Sequence, residues 1–329
     1  MKKDFVEGAK AATPIILGYI PVGIAYGMLA KATGLTFFKA LSFSLFVYTG
    51  AGQMAAVTML AQNAAYVTIV FTVFILNLRH IIMSTCIMEK MEKTSLPIRL
   101  LLSFWITDEV FAVSMTDKKI NKLTPAFLAG LSLFSYLFWN VGSALGILFS
   151  SVLPSIVSKS LGVSLYAMFI GLLVPNMKKI DSLIVCCGFV NDCKLGIKSI
   201  LIEFIIYFNI YAWLCIDRNV FYFQGGFTMK FVGLIFFLCL STYIPRMLPA
   251  LFMDKIQVSK KVNIFLQLIP YTAMASLIFP AILYVDENVW IGIIASVVAV
   301  IAALKKLPVI GVVLASVISC VIFYMFMLS

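Results

Sequence analysis

Long apolar runs broken by short polar clusters dominate the chain, and their lengths carry the first structural information. Runs lie at 13–30, 40–60, 65–88, 97–116, 125–150, 160–177, 199–216, 230–252, 263–284, 289–304 and 308–328. A helix that crosses a bilayer takes about 20 apolar residues, and most of these runs meet that length. Residues 182–190 form a shorter run. As a helix it would rise about 14 Å, roughly half of a hydrocarbon core, so it reads as a half-helix or re-entrant segment. The pattern predicts an all-α, polytopic integral membrane protein. It would hold about eleven transmembrane helices, one additional half-helix, and interrupted helices among them.

Composition sharpens this picture. Of 329 residues, 62% are hydrophobic and 12% charged, and the mean hydropathy is +1.06. A soluble domain would carry about a quarter charged residues. A soluble enzyme, a disordered chain and a secreted disulfide scaffold are all excluded. No polar stretch is long enough for an extramembrane domain. A membrane enzyme would therefore need its nucleophile or metal ligands inside the bilayer, and the sequence holds no such set. No phosphate-binding glycine loop followed by Lys and Ser or Thr occurs either, so ATP-driven transport is not encoded and no cofactor is expected.

The net charge of +11 does not point to nucleic acid, because the Lys and Arg residues cluster between apolar runs as juxtamembrane charge does. Lys255, Lys260 and Lys261 fall in one loop, Lys305 and Lys306 two spans later, and Asp286 with Glu287 between them. The positive-inside rule places the lysine loops in the cytoplasm and the C-terminus outside. The N-terminal two thirds carry no bias that orients them. Lys2, Lys3 and the following apolar run imitate a signal peptide, but Asp4 and Glu7 spoil its basic start, and the segment is expected to be retained. The seven cysteines are scattered without a CxxC pair and read as small packing residues.

The sharpest compositional break lies at 217–229, where Gly225 and Gly226 precede Met229 and Lys230. It divides the chain into a unit at 1–217, a join at 218–228 and a unit at 229–329. Residues 219–225 also resemble a degenerate tobacco-etch-virus protease site. A natural fusion of two genes and an engineered join both fit.

Polar groups inside the runs are the candidate functional residues, since a charge at mid-bilayer costs roughly 2.5–3.5 kcal/mol on insertion scales. Asn77, Arg79 and His80 lie deep in the 65–88 run, and Asp108 with Glu109 near the middle of 97–116. Arg79 facing one of these acids would neutralise what neither helix could bury alone, and would leave a carboxylate over. The bland reading is a structural ion pair that locks two helices. His80, the single histidine, suits proton handling or a plain hydrogen-bonded core position. Asn140 is a further intramembrane polar group. Arg246 lies eight residues before Asp254 and reads as snorkelling to an interface.

Helix breakers form a second signal. Pro14, Gly18, Pro21 and Gly23 crowd the first run, and Gly50 and Gly52 flank Ala51 just before the polar Gln53. Unwound helices that expose backbone dipoles to a ligand predict this pattern, and close helix packing through small residues is the alternative.

The motifs that hold these residues resemble a known family. Gly8, Ala11, Pro14, Gly18, Tyr19, Gly23 and Gly27, then Gly50-Ala51-Gly52-Gln53, Asn77-Leu78-Arg79-His80, Thr107-Asp108-Glu109 and Phe169 through Pro175 look like the AzlC family, over about residues 4–178. From Met229, the pattern Thr242, Tyr243, Arg246, Pro249 and then Ile269, Pro270, Tyr271, Phe279, Pro280 resembles the AzlD family, its small partner. The match fades between 179 and 228. The resemblance implies export of leucine, isoleucine and valine, with methionine a further candidate, across a bacterial inner membrane. It implies proton motive force as the energy source. The two halves would pack together in the lipid bilayer, and the substrate site would draw on Gln53, Asn77, Arg79, His80, Asp108, Glu109 and Asn140. An ion channel with a charged pore is the other reading.

Overall fold

The computed structural model describes residues 2–116, 123–150, 155–174, 227–252, 278, 281–285 and 288–328. Helix follows helix: α1 Lys2–Ala11, α2 Thr13–Ala32, α3 Phe37–Phe46, α4 Gly50–Ala61, α5 Tyr66–Asn77, α6 Arg79–Lys90, α7 Leu96–Phe104, α8 Asp108–Thr116, α9 Pro125–Phe149 and α10 Ser155–Leu161. After these come α11 Ser164–Val174, α12 Phe227–Phe252, a 3₁₀ turn at Ala281–Tyr284, α13 Val289–Leu304 and α14 Val309–Leu328. Among the described residues there is one isolated bridge, Met91 to Leu123, and no strand. The expected segment at 182–190, the run at 199–216 and all but the last two residues of the join at 218–228 lie outside the described residues, as does most of 263–284.

Five helical stretches among the described residues are long and apolar enough to cross a membrane. They are Thr13–Ala32, Tyr66–Lys90, Pro125–Phe149, Phe231–Phe252 and Val309–Met327. The protein is a multi-pass helical membrane protein. Its outer surface agrees with lipid contact: Phe38 and Val67 are each 80% exposed, and α14 presents Ile322, Met325 and Phe326 outward. Such residues have water-free surroundings only in lipid or in a partner.

Two of the expected spans are split rather than continuous. The run 40–60 is α3 and α4 with a break at 47–49, and the run 97–116 is α7 and α8 with a break at 105–107. At 1.5 Å per residue each piece is about half as long as a bilayer is thick, which is why a hydropathy pattern reads the pair as one crossing. The run 65–88 is nearly continuous, with a single turn residue, Leu78, between α5 and α6.

The first run behaves differently from expectation. Helix α2 runs unbroken through Gly18, Pro21 and Gly23. Pro14 sits in the first turn, where a missing N–H has no partner to lose, and Pro21 removes one internal bond without ending the helix. The glycines serve approach instead. α2 crosses α9 as its main partner, with Gly23 and Gly27 against Gly142 and Gly146. A Cβ at Gly23 would lie 3.0 Å from Ser143 N and from the Trp139 carbonyl, and one at Gly142 2.9 Å from the Ile20 carbonyl. Small residues four apart let two backbones meet, the packing available where no hydrophobic effect operates between helices.

Helix α12 lies against α5, α6 and α7. Phe231 stacks near Phe43 at 5.6 Å, Phe104 near Tyr243 at 6.0 Å, and the Tyr243 hydroxyl donates to the Leu100 carbonyl at 3.2 Å. Helices α13 and α14 form a pair, and α14 also reaches α2 and α10.

Candidate functional site

Both helix breaks open toward one small cavity. It is lined by Tyr19 of α2, Tyr48 and Thr49 of the first break, Gly50 and Ala51 of α4, Arg79 and His80 of α6, and Thr107 of the second break. Asp108 and Glu109 of α8, Trp139 of α9, Leu165, Met168 and Phe169 of α11, and Arg246 of α12 complete it. Helices α4 and α8 start here after the breaks, so two helix N-termini converge beside the junction of α5 and α6. The free volume is about 20 Å³, on the scale of one water molecule and far below the space an amino acid needs. The described conformation is narrow around its polar groups.

The charged groups are buried and paired by geometry. Arg79 Nη2 lies 2.8 Å from Asp108 Oδ2, with the two side chains 13% and 6% exposed. Glu109, the leftover acid, has no cation of its own among the described residues. Its Oε2 accepts from the Tyr19 hydroxyl at 2.6 Å, and that hydroxyl oxygen lies 2.9 Å from Thr107 Oγ1. Thr107 Oγ1 also accepts from Val110 N at 3.4 Å, a long cap over the start of α8. Several polar atoms facing this cluster have no partner among the described residues: Arg79 Nε and Nη1, Asp108 Oδ1, Trp139 Nε1 and Arg246 Nε. Buried polar groups are nearly always hydrogen-bonded, so this concentration singles out the cluster as the candidate site.

His80 stands at the α6 start. Its Nδ1 is 3.2 Å from the Asn77 carbonyl and its Nε2 is 3.4 Å from Arg246 Nη2. A neutral ring with the proton on Nδ1 satisfies both contacts, since the carbonyl accepts and the guanidinium donates.

The remaining expected residues take other places. Gln53 is fully buried, and its Oε1 accepts from Thr49 N at 3.1 Å. Asn77 accepts from Thr49 Oγ1 at 3.0 Å through Oδ1 and donates to the Val73 carbonyl at 2.7 Å. These two brace the first break from behind and do not line the cavity. Asn140 donates to the Tyr136 carbonyl of its own helix at 2.8 Å and is also set back from the cavity. Gly50 lines it, whereas Gly52 packs on Thr49, and Pro14, Gly18, Pro21 and Gly23 belong to helix packing.

Arg246 departs most from expectation. It is 0% exposed rather than snorkelling. Nη1 donates to the Phe104 carbonyl and Nη2 to the Tyr48 carbonyl, each at 2.9 Å. Distance along the chain to Asp254 gave no sign of this, because the acceptors lie in other helices. Tyr19, Tyr48, Thr107 and Trp139 were missed as well. Tyr19 and Thr107 sit inside the quoted motifs beside glycine and acid, and their hydroxyls were the overlooked signal.

A multi-pass helical membrane chain with a narrow, buried polar site at paired helix breaks is the class that fold and site define. The chain belongs to the AzlC family, matched over residues 14–153, and continues into the family described as branched-chain amino acid transport protein (AzlD), matched over residues 231–324. It is 38% identical over 176 residues to an uncharacterized membrane protein of Archaeoglobus fulgidus, covering 53% of this chain and 76% of that one. Inner membrane protein YgaZ of Escherichia coli K12 is 29% identical, over 57% of this chain and 79% of its own. Branched-chain amino acid transport protein AzlC of Bacillus subtilis is 26% identical, over 42% and 54%. No solved structure matches.

Proposed function

We propose that this chain is a secondary active transporter, not an enzyme, that exports branched-chain amino acids in exchange for protons. The supporting observation is the narrow cavity in which Arg79 and Arg246 face Asp108 and Glu109 between two helix breaks. A zwitterion needs both signs close together. Its carboxylate fits the first turn of α4, where Gly50 and Ala51 line the cavity without charge, together with the unpartnered edge of Arg79. Its ammonium fits Asp108 Oδ1 and Glu109. The wall of Leu165, Met168, Phe169 and Trp139 suits a branched aliphatic side chain. The narrow volume then belongs to a substrate-free state that must widen to load.

Glu109 is the proton carrier in this reading. Asp108 is committed to Arg79, while among the described residues Glu109 holds only neutral donors and can gain a proton without leaving a cation unpaired. A proton and the substrate ammonium then compete for one carboxylate. Competition for a shared group couples inward proton movement to outward substrate movement, because each ligand favours its own set of states.

The test is reconstitution into vesicles loaded with labelled leucine. The wild type should show counterflow, which a channel cannot give, and efflux that responds to a pH gradient. Glu109→Gln should keep leucine exchange and lose the gradient response. No counterflow with any branched-chain amino acid would sink the transporter reading. A normal gradient response in Glu109→Gln would move the coupling elsewhere, with His80→Gln the next variant.

A further inference from the structure

Arg246 lies in the AzlD-matching part of the chain, but its hydrogen bonds among the described residues all end in the AzlC-matching part. Each of the two breaks leaves helix C-terminal carbonyls without internal partners, and in a membrane such groups are costly unless satisfied. The Phe104 carbonyl is that of the last residue of α7, and the Tyr48 carbonyl lies within the first break, two residues beyond α3. One guanidinium serves both, at 2.9 Å each. Its charge also suits the negative ends of α3 and α7. Tyr48 adds a second observation. Its φ is +37°, a region that bulky residues hold only when their surroundings enforce it. Its ring lies under the Arg246 guanidinium at 6.0 Å and meets Tyr136 edge-on at 4.9 Å.

We propose that Arg246 is a positioning residue through which the second unit fastens both helix breaks of the first, so that the cavity takes shape only when α12 is in place. The planar fork is required. It reaches two carbonyls in different directions and still presents Nη2 to His80, whereas a lysine could hold one carbonyl at a time. Arg246 acts through the breaks and not through the substrate. The inference therefore goes beyond the transport reading and stands or falls without it.

Hydrogen–deuterium exchange on the full chain in nanodiscs tests it, with Arg246→Met and Arg246→Lys beside the wild type. Removing hydrogen bonds to a charged donor should speed exchange by about tenfold or more in peptides covering 44–52 and 103–110. Peptides within α9 should stay within about twofold of the wild type, since α9 is held by α1 and α2. In Arg246→Lys one break should remain protected and the other should not. If Arg246→Met does not assemble, the lysine variant decides alone: both breaks protected as in the wild type overturns the proposal. So does a uniform rise across all peptides, which a merely structural role would give. Leucine counterflow on the same samples separates the two readings. Faster exchange at both breaks in a protein whose wild type moves no leucine would keep this inference and remove the transport one.

Discussion

The two helix breaks share a geometry and differ in chemistry. Each interrupts an apolar run, each places a threonine at the start of the next helix, and each gives a carbonyl to Arg246. After the first break come Gly50 and Ala51 with no charge. After the second come Asp108 and Glu109. A helix N-terminus carries the equivalent of about half a positive charge. The first break leaves that pole open to the cavity, and the second covers it with carboxylates. A site with a positive and a negative end is thereby made from one repeated backbone device. Which end is which depends on two side chains.

The largest expected effect comes from stripping the negative end. Asp108→Asn leaves Arg79 buried without its carboxylate, and Arg79→Gln leaves Asp108 likewise. Removing one partner of a buried pair costs about 3–5 kcal/mol. Each single variant should melt well below the wild type and lose leucine counterflow. The double variant should recover part of the lost stability and none of the transport. Singles that melt like the wild type would show that the pair is too solvated to define an end of the site.

A gentler change makes the first break resemble the second. Ala51→Asp puts a carboxylate in the first turn of α4, where it should stabilise the helix by about 0.3–1 kcal/mol. It should also occupy the place assigned to the substrate carboxylate. The expectation is a retained or slightly raised melting temperature and an apparent leucine KM increased by about tenfold, the 1.4 kcal/mol of one lost charge-assisted contact. An unchanged KM would detach the carboxylate from this helix end and undo the assignment of poles.

How much of this was legible before the structure differs between the two ends. The acids and Arg79 stood out because charge inside an apolar run is expensive, and their pairing follows from that cost. The class of fold was legible for the same reason. The glycines beside Gln53 pointed to a break at Gly50–Gln53, but those residues form the first turn of α4 and the break lies just before them, at 47–49. The one at 105–107 was not indicated, because Trp105, Ile106 and Thr107 carry no breaker and hydropathy passes over them. In α2 the same breaker signal pointed the wrong way. Glycine permits both unwinding and close approach, and only the position of α9 decides between them. Arg246 was invisible as a site residue because its partners lie 142 and 198 positions away in sequence.

The smallest expected effects separate the two threonines. Thr49 Oγ1 donates to Asn77 Oδ1, so Thr49→Val leaves a buried amide oxygen without its donor and should cost about 1–3 kcal/mol. Thr107 is held less tightly: the cap to Val110 is long, at 3.4 Å, and Tyr19 keeps Glu109 when the threonine hydroxyl is gone. Thr107→Val should cost about 1 kcal/mol or less. Function should run in the opposite order. Thr49 braces the backbone from behind the cavity, so its loss should lower the melting temperature and leave the pH dependence of efflux in place. Thr107 is hydrogen-bonded to the Tyr19 hydroxyl that donates to Glu109, so its loss alters the support of that carboxylate. The pH dependence of efflux should then change in Thr107→Val with little change in stability. Melting curves and pH profiles of the two variants in the same vesicles check this. A pH profile that moves in Thr49→Val and stays fixed in Thr107→Val would place the proton at the first break rather than the second.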